Sequence, residues 1–476
     1  MTAPTKYNPV TPEIAEELKR IVGDRYVIYA DPEKLEPCSH DEVPDRRFAH
    51  MPEAVVRPAS ADEISAIVKL ANRALIPITP RGAGSGLSGG AVPIHGGIVL
   101  LLDRMNRIVE IDPDNMMMVV EPGVVTNEIN EALKPHGLFY AGYPMSLETC
   151  FIGGNVAENA GGAKTVRYGV TGQYVLGLEL VTPTGELVRL GGKRVKDVTG
   201  YDLIHLMVGS EGTLGIFTRI ILRLLPLPNP TVDLLCLFKT TEDAIAAVPR
   251  IIAERGVSPV AIEFMDRAAV RAACDYLNET IPYQQAGAML LISVDGPDDR
   301  QLEKAYDAVG ELALACGAFE VYVADNLTTS ERLWRVRRNI AEACSAITEN
   351  QSNEDIVVPP AAIPSLISAL QAIAQKYDVR IPCYGHAADG NVHARIVMNP
   401  HWPLQRWHDT LPKILKELYQ TTADLGGTLS GEHGIGHKRK DYLPLFLSPP
   451  TLELMRSVKR ALDPNNILNP GKILDL

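Results

Sequence analysis

The sequence holds seven cysteines in 476 residues, and no two of them form a C-x-x-C pair. They lie scattered at Cys38, Cys150, Cys236, Cys274, Cys316, Cys344 and Cys383. An odd, scattered set argues against a disulfide framework and against a thiolate metal site, and it fits a reducing compartment. The first residues, MTAPTKYNPVTPEIAEELKR, contain no apolar core of a secretory signal. No run of 18 apolar residues occurs, so no segment reads as a membrane span. The expectation is a cytoplasmic protein. Positive charge is also short: 46 Lys and Arg face 58 Asp and Glu, a net charge of -12. That speaks against nucleic acid as a main partner and gives no reason to expect an anionic membrane surface. Low-complexity tracts are absent. What remains is an ordinary globular balance, 46% hydrophobic and 22% charged, with length for two to four domains at ~150 residues each.

Residues 12–22 read as a short helix with apolar Ile14, Leu18 and Ile21. After a stretch rich in proline and charge, Glu53–Val56 reads as a strand. Ser60-Ala61-Asp62-Glu63 is a capping box opening a helix with the stripe Ile64, Ile67, Val68 and Ala71. Pro77–Pro80 reads as a strand running directly into PRGAGSGLSGG. The segment Leu224–Pro230, with three prolines, is the best domain boundary. Beyond it two β-α-β units follow one another: VDLLCLF, a helix and VAIEFMD, then AMLLISVDG, a helix and FEVYVAD. They predict an antiparallel, ferredoxin-like sheet with two helices on one face. A long helix Ser330–Ile347 and another at Ile363–Tyr377 come next.

The loop Arg81–Gly90 contains five glycines, Gly82, Gly84, Gly86, Gly89 and Gly90. Glycine tolerates positive φ and lets main-chain N–H groups approach an anion. A Rossmann fingerprint needs a helix after such a loop, but GGIVLLLDRMNRIVEID follows, which reads as strands. The loop is thus a phosphate cradle of another type or a structural turn. A second small-residue run spans Gly153–Lys164 and a third Val208–Ile216. One long dinucleotide across all three explains them more simply than three separate turns.

Tyr384-Gly385-His386-Ala387-Ala388-Asp389-Gly390-Asn391-Val392-His393 reads as a hairpin with a two-residue Asp389-Gly390 turn. That register pairs Ala388 with Asn391, Ala387 with Val392 and His386 with His393, setting the imidazoles ~5 Å apart at Cβ. Two such histidines are either hydrogen-bonded structural residues or ligands sharing an ion. Ser430-Gly431-Glu432-His433-Gly434-Ile435-Gly436-His437 offers a carboxylate, and two histidines with one glutamate form a plausible set for a catalytic divalent metal. His437 and Lys438 read as solvated loop residues.

PRGAGSGLSGG, CFIGGNVAENAGGAKTVRYGVT and GSEGTLGIFT resemble the flavin-binding domain of the vanillyl-alcohol oxidase/p-cresol methylhydroxylase superfamily. GHAADGNVH, SGEHGIGHKRK and LDPNNILNPGKIL resemble its branch of glycolate oxidase flavin subunits, D-lactate dehydrogenases and D-2-hydroxyglutarate dehydrogenases. The likeness covers residues 20–476 in six motifs in order. It implies an α+β chain: an N-terminal helical arm (1–50), a p-cresol methylhydroxylase-type FAD-binding domain of two α+β subdomains (51–228), a ferredoxin-like substrate domain carrying the histidines (229–420), and a C-terminal helical segment returning to the flavin domain (421–476).

The resemblance implies FAD, with its pyrophosphate on Arg81, Gly82, Ala83, Gly84, Ser85, Gly86, Leu87 and Ser88. Further flavin contacts are implied at Pro144, Ser146, Thr149, Gly153, Gly154, Asn155, Gly162, Gly169, Glu211, Gly212, Gly215, Ile216 and Asn469. Some members attach flavin through a histidine in the first loop; Ser85 stands at that place, so non-covalent FAD is expected. Relatives bind a divalent metal, commonly zinc, through residues matching His386, His393 and Glu432. Ala388 stands where they often carry glycine, which matters only if φ is positive there. The family-matched base is His433. Helix 330–347 carries Arg332, Arg335, Arg337 and Arg338, mostly as a solvated face, and Leu333-Trp334-x-x-Arg337 matches a motif whose arginine binds the substrate carboxylate.

The resulting expectation is hydride transfer from a 2-hydroxy acid to flavin N5, assisted by the metal. Relatives that act on hydroxyglutarate carry an extra cation and hydroxyl; the best-aligned positions here, Asn353 and Ala341, lack that chemistry. D-lactate or glycolate is therefore favoured over a dicarboxylate. Two alternatives stand beside this: alkyl-group exchange on the same scaffold, and a non-catalytic flavin-bearing subunit that relays electrons. The acceptor is not readable, whether electron-transfer flavoprotein, quinone, cytochrome, iron–sulfur subunit or oxygen; a homodimer is the commonest state.

Overall fold

A computed structural model describes residues 7–476. The chain forms two compact units. The first comprises residues up to Ala160, Val170–Leu227 and Glu432–Leu476; the second comprises Gly161–Gly169 and Pro228–Gly431. This division differs from the expected one: the N-terminal arm belongs to the first unit, and Gly161–Gly169 leaves the flavin-type segment for the second. Arg167 holds that segment there, pairing with Asp295 at 3.1 Å and donating to the Ser258 carbonyl.

The first unit has two main sheets. In the smaller, Val27–Tyr29 pairs antiparallel with Ala54–Val56, which lies parallel to Ile98–Leu101, itself parallel to Ile78–Arg81. Helix Ala61–Ala74 covers it as its stripe demands. Ser60 accepts from the Glu63 amide, and Ile64, Ile67, Val68 and Ala71 are buried in one core with Ala54, Val56, Ile78 and Ile98. Glu63 reaches back to the Ala59 amide, one residue earlier than a standard capping box requires. Helix Pro12–Val22 begins at Thr11 and packs against the same core. The larger sheet is antiparallel, in the order Ile108–Asp112, Met117–Val120, Ile216–Arg223, Val175–Val181, Leu187–Gly191.

The second unit is built on a seven-stranded antiparallel sheet: Ala318–Ala324, Thr231–Phe238, Ala288–Asp295, Pro259–Asp266, Cys383–His386, Asn391–Val397, Gln351–Val357. The first four strands have the spatial order expected of the two β-α-β units. Helices Thr241–Ala253 and Asp299–Ala315 pack on them and on each other. The opposite face is also covered. Leu235, Leu237, Met265, Met289 and Leu291 pack with Ala269 and Val270 of helix Arg267–Leu277 and with Leu333, Val336 and Ile340. Helices on both faces explain why these strands are buried almost throughout rather than alternating.

The long helix expected at Ser330–Ile347 is two helices, Leu327–Arg338 and Ile340–Ile347. Asn339 has φ -93° and ψ 6°, and its side-chain amide donates to the Arg335 carbonyl at 2.8 Å. An asparagine that satisfies the last-turn carbonyls ends a helix where periodicity alone would continue it. Helix Ile363–Tyr377 is where the pattern put it.

Candidate active site

In the second unit the chemistry rests on buried side chains. The hairpin forms, but not in the expected register. Cys383–His386 pairs with Asn391–Val397 so that His386 faces Asn391 and Tyr384 faces His393. The connection is the four-residue Ala387-Ala388-Asp389-Gly390 rather than a two-residue turn. Gly390, at φ +79°, is drawn onto the neighbouring chain: its carbonyl accepts from the Val358 amide, and a Cβ there would lie 1.9 Å from the Val358 oxygen. The offset is two residues, which preserves the face of the sheet. His386 and His393 therefore remain neighbours as a diagonal pair, with ring centroids 5.5 Å apart and planes at 86°. Ala388 is outside the left-handed region, so its methyl group is tolerated.

Each histidine has a carboxylate behind it. Glu263, on the central strand Pro259–Asp266, lies opposite His386 and is fully buried. Its Oε1 is 2.6 Å from His386 Nδ1, and its Oε2 is 2.5 Å from an Arg337 nitrogen. Burial pushes the Glu263 carboxyl up, but the charges of Arg337 and His386 outweigh burial and hold it below its ordinary value. Asp355, opposite His393, stands 3.5 Å from His393 Nδ1. It accepts from Asn391 Nδ2 (2.8 Å), Ser430 Oγ (2.7 Å) and the Gly431 amide (3.0 Å). For His386 the Glu263 carboxylate at Nδ1 favours the tautomer that carries its lone pair on Nε2, the arrangement typical of metal-ligating histidines; the Asp355 contact with His393 is longer than a hydrogen bond of that kind.

Of the four arginines in this helix, Arg332, Arg335 and Arg338 are exposed and Arg337 is buried. Arg337 stacks over the Tyr384 ring at 4.8 Å, and its buried Nε has no hydrogen-bond partner among the described residues.

Neither Glu263 nor Asp355 was singled out from sequence, although a signal exists. VAIEFMD places one acid amid apolar strand residues, and a charge at such a position is buried only when paired. Gly162 is buried in the second unit and Gly169, at φ +74°, ends the turn Thr165–Tyr168 there.

In the first unit the three glycine loops meet. Gly82 abuts Phe151, and a Cβ on it would lie 3.9 Å from the Gly154 amide nitrogen. Gly212 abuts Pro80, and Asn469 Nδ2 donates to both the Gly90 carbonyl (2.9 Å) and the Glu211 carbonyl (2.8 Å). Arg81 is buried, donating to the Ala91 and Pro37 carbonyls. Gly84, at φ +79°, leaves room for that guanidinium, which a Cβ would approach to 2.1 Å. Gly154 faces open space. Ala83 is exposed and Ser85, Gly86 and Leu87 are half-buried, so the loop presents an accessible main-chain rim.

Pro144, Ser146 and Thr149 form a partly exposed turn in which Thr149 Oγ1 donates to the Ser146 carbonyl. Gly153 opens helix Ile152–Glu158, where a Cβ would meet Pro122 at 2.5 Å, and Asn155 is buried with its amide on Thr126 Oγ1 at 2.7 Å. Gly215 and Ile216 are buried.

Glu432 and His433 belong to the first unit, with His433 Nε2 3.9 Å from Glu432 Oε1. Lys438 is buried rather than solvated, contrary to expectation, and His437 is half-buried. Their amides donate to the Ser88 carbonyl at 3.0 Å, and burial pushes His437 down to about 4, with Lys440 and Lys472 adding to the effect. Burial likewise brings Lys472 down to about 7, its Nζ donating to the Val92 carbonyl at 2.6 Å.

Known proteins resemble this architecture. p-Cresol methylhydroxylase, solved with substrate bound, superposes with a TM-score of 0.79 at 18% identity, covering 97% of this chain and 96% of that one. An alkyldihydroxyacetonephosphate synthase gives 0.74 at 20%, covering 97% and 86%. The fold is thus of the p-cresol methylhydroxylase type. Residues 52–191 match the family described as FAD binding domain, and residues 227–473 match FAD linked oxidases, C-terminal domain.

At the level of sequence, a D-lactate dehydrogenase of Anaerostipes hadrus is 38% identical, covering 98% of both chains. The glycolate oxidase subunit GlcD of Bacillus subtilis is 37% identical, covering 98% of this chain and 97% of that one. A D-2-hydroxyglutarate dehydrogenase of Stutzerimonas stutzeri is 31% identical, covering 97% and 99%. The chain belongs to the FAD-linked oxidases and is an FAD-dependent oxidoreductase. Among the described residues no helix is long and apolar enough to cross a membrane.

Proposed function

We propose that this chain oxidises a small D-2-hydroxy acid, of the D-lactate or glycolate type, to the 2-oxo acid, with a divalent metal assisting and a separate acceptor taking the electrons. The observation that carries this reading is the buried line Arg337–Glu263–His386. It puts an anion-binding guanidinium and a metal-type histidine on one carboxylate.

Bound FAD supplies a two-electron acceptor at N5. The first-unit glycine loops and Asn469 would hold it, without a covalent link because Ser85 occupies the attachment position. A divalent metal, zinc in the likeness of relatives, would act as a Lewis acid on the hydroxyl oxygen. His386, His393 and Glu432 are its proposed ligands.

Arg337 binds the substrate carboxylate through its unsatisfied edge. Glu263 fixes the tautomer of His386 and the orientation of Arg337 together. His433 takes the hydroxyl proton, a task suited to an imidazole. The Cα hydride leaves with its electron pair, so proton and hydride together account for the two hydrogens lost.

A dicarboxylate is the second reading, and Arg395 is the cation that bears on it. Arg395 is buried two residues beyond His393 on the same face of the sheet. Its guanidinium is engaged by Gln351 Oε1 at 2.7 Å and by the Tyr384 hydroxyl at 3.3 Å, and Asn353 opposite it is neutral. That engagement favours the monocarboxylate. For alkyl-group exchange the support stops at the fold, and the chemistry gathered around His386 and Arg337 argues against a merely electron-carrying subunit. Electron-transfer flavoprotein, a quinone or an iron–sulfur subunit would each serve as acceptor, and a cytoplasmic homodimer is the proposed setting.

Anaerobic addition of D-lactate, glycolate, D-malate and D-2-hydroxyglutarate, watched by flavin bleaching, tests this. D-lactate or glycolate should bleach fastest. Bleaching should stop after chelation, and His433→Ala should retain FAD while losing about 10²–10⁴-fold in rate. Acid should release all the yellow colour. Bleaching by none of the four acids would refute the oxidation, and bleaching by D-2-hydroxyglutarate alone would select the second reading.

A further inference from the structure

The segment following His433 is hydrogen-bonded to two of the glycine loops of the first unit and abuts the third, and one side chain accepts two of its amides. Glu211 Oε1 accepts from the Ile435 amide at 2.7 Å and Oε2 from the Gly436 amide at 2.6 Å. Gly434, at φ +79°, has no room for a side chain: a Cβ would lie 2.0 Å from Glu158 Oε2 and 3.1 Å from Glu211 Oε1. Gly436, at φ +54°, would place a Cβ 2.1 Å from the Ser88 carbonyl. That carbonyl accepts the two amides that follow, those of His437 and Lys438. Arg439, fully buried, closes the loop by donating to the Leu87 and Gly434 carbonyls at 3.2 and 3.0 Å.

Glu211 itself sits at φ +50°, a conformation rare for a side-chain-bearing residue. Its main chain is pinned at both ends, the amide on the Ala157 carbonyl and the carbonyl on Asn469 Nδ2. A strained, doubly pinned backbone that directs a carboxylate onto two consecutive amides is an organised support. The sequence resemblance implied that Glu211 touches flavin, but both carboxylate oxygens are occupied by the His433 segment.

We infer that Glu211 is a positioning residue. It couples the loop 208–216 to the segment 434–436 and so fixes where the His433 imidazole stands. This rests on the reading of His433 as the proton acceptor. Glutamine at this place offers one oxygen and turns an amide donor against the second N–H, so the loop is released on one side. Aspartate keeps both oxygens and loses reach.

The test uses the full FAD-loaded protein and its Glu211→Gln and Glu211→Asp variants. Three quantities are measured: FAD stoichiometry, anaerobic flavin reduction over a range of D-lactate concentrations, and hydrogen exchange of the peptide covering 434–437. Glu211→Gln should keep its FAD and reduce it ~10–100-fold more slowly at saturating D-lactate. The half-saturating concentration should change by less than about twofold, and the 434–437 amides should exchange about tenfold faster or more. Glu211→Asp should recover part of both losses.

Loss of FAD with unchanged exchange would make Glu211 a cofactor ligand and overturn the inference. So would reduction within about twofold of the parent. Should Glu211→Gln not fold, unchanged exchange at 434–437 in Glu211→Asp overturns it equally. If none of the hydroxy acids bleaches the parent, or His433→Ala reduces normally, the proposed function fails, and the exchange measurement still decides whether Glu211 holds this loop.

Discussion

The two units build their sites from opposite materials. In the first, the convergent loops offer main chain: Gly84, Gly212, Gly434 and Gly436 all have positive φ, and at three of them a Cβ would come within about 2 Å of a neighbour. In the second, the candidate site is made of deeply buried side chains, Glu263, Asp355, Arg337, His386 and His393, each at most 5% exposed. A long cofactor is held well by many weak main-chain donors. Charged side chains, by contrast, survive burial only in pairs. All three tryptophans, Trp334, Trp402 and Trp407, fall in the second unit, so their fluorescence reports on it, while flavin reports on the first.

The largest expected break in this contrast is Glu263→Gln. It leaves Arg337 buried without its counter-charge and His386 without its anchor. Tryptophan-monitored urea unfolding should lose about 3–5 kcal/mol, and under the proposed metal role zinc affinity should fall by roughly 10–100-fold. FAD content should stay unchanged, and flavin loss in parallel would show that the two sites are not independent.

The complementary break is Gly84→Ala. Its Cβ would collide with the Arg81 guanidinium at a φ alanine resists, so FAD should bind about tenfold or more weakly by fluorescence titration while the tryptophan transition stays in place. A shift of that transition would sharpen the comparison in the other direction.

A third break is a pH dependence in the second unit. Burial pushes Asp266 up to about 6 from 3.8, although it accepts from the Ala269 and Cys383 amides. The folded state therefore binds this proton more tightly than the unfolded one. Its contribution to stability falls as pH rises from 3.8 to about 6 and is flat above. Across that window the unfolding free energy of the parent should drop relative to Asp266→Asn by up to about 3 kcal/mol. A pH-independent difference would refute the assignment.

Much of the local structure was legible because its causes are local. Helices Pro12–Val22 and Ile363–Tyr377 follow from apolar periodicity, and the first turn of Ala61–Ala74 from Ser60 and Glu63. The strand order of the second unit's first four strands follows from a repeated pattern. The break at Asn339 was not visible, because asparagine tolerates a helix until its side chain turns back on the Arg335 carbonyl. The hairpin shows the same division. Asp389-Gly390 announced a turn, but its register was decided by the contact of Gly390 with Val358, 32 residues away in the chain.

By itself, the sequence determined which residues are candidates for chemistry: three glycine-rich loops, the histidine pair, the Glu432-His433 segment and Arg337. Side-chain type and short spacing are properties of the chain alone. Tertiary structure decided their partners. Glu263 meets His386 across 123 residues, and Glu211 meets Ile435 across 224. It also decided that Lys438, which reads as a solvated lysine, is buried. A buried charge acquires its role from whatever the fold places within hydrogen-bond reach, and no local pattern records that distance.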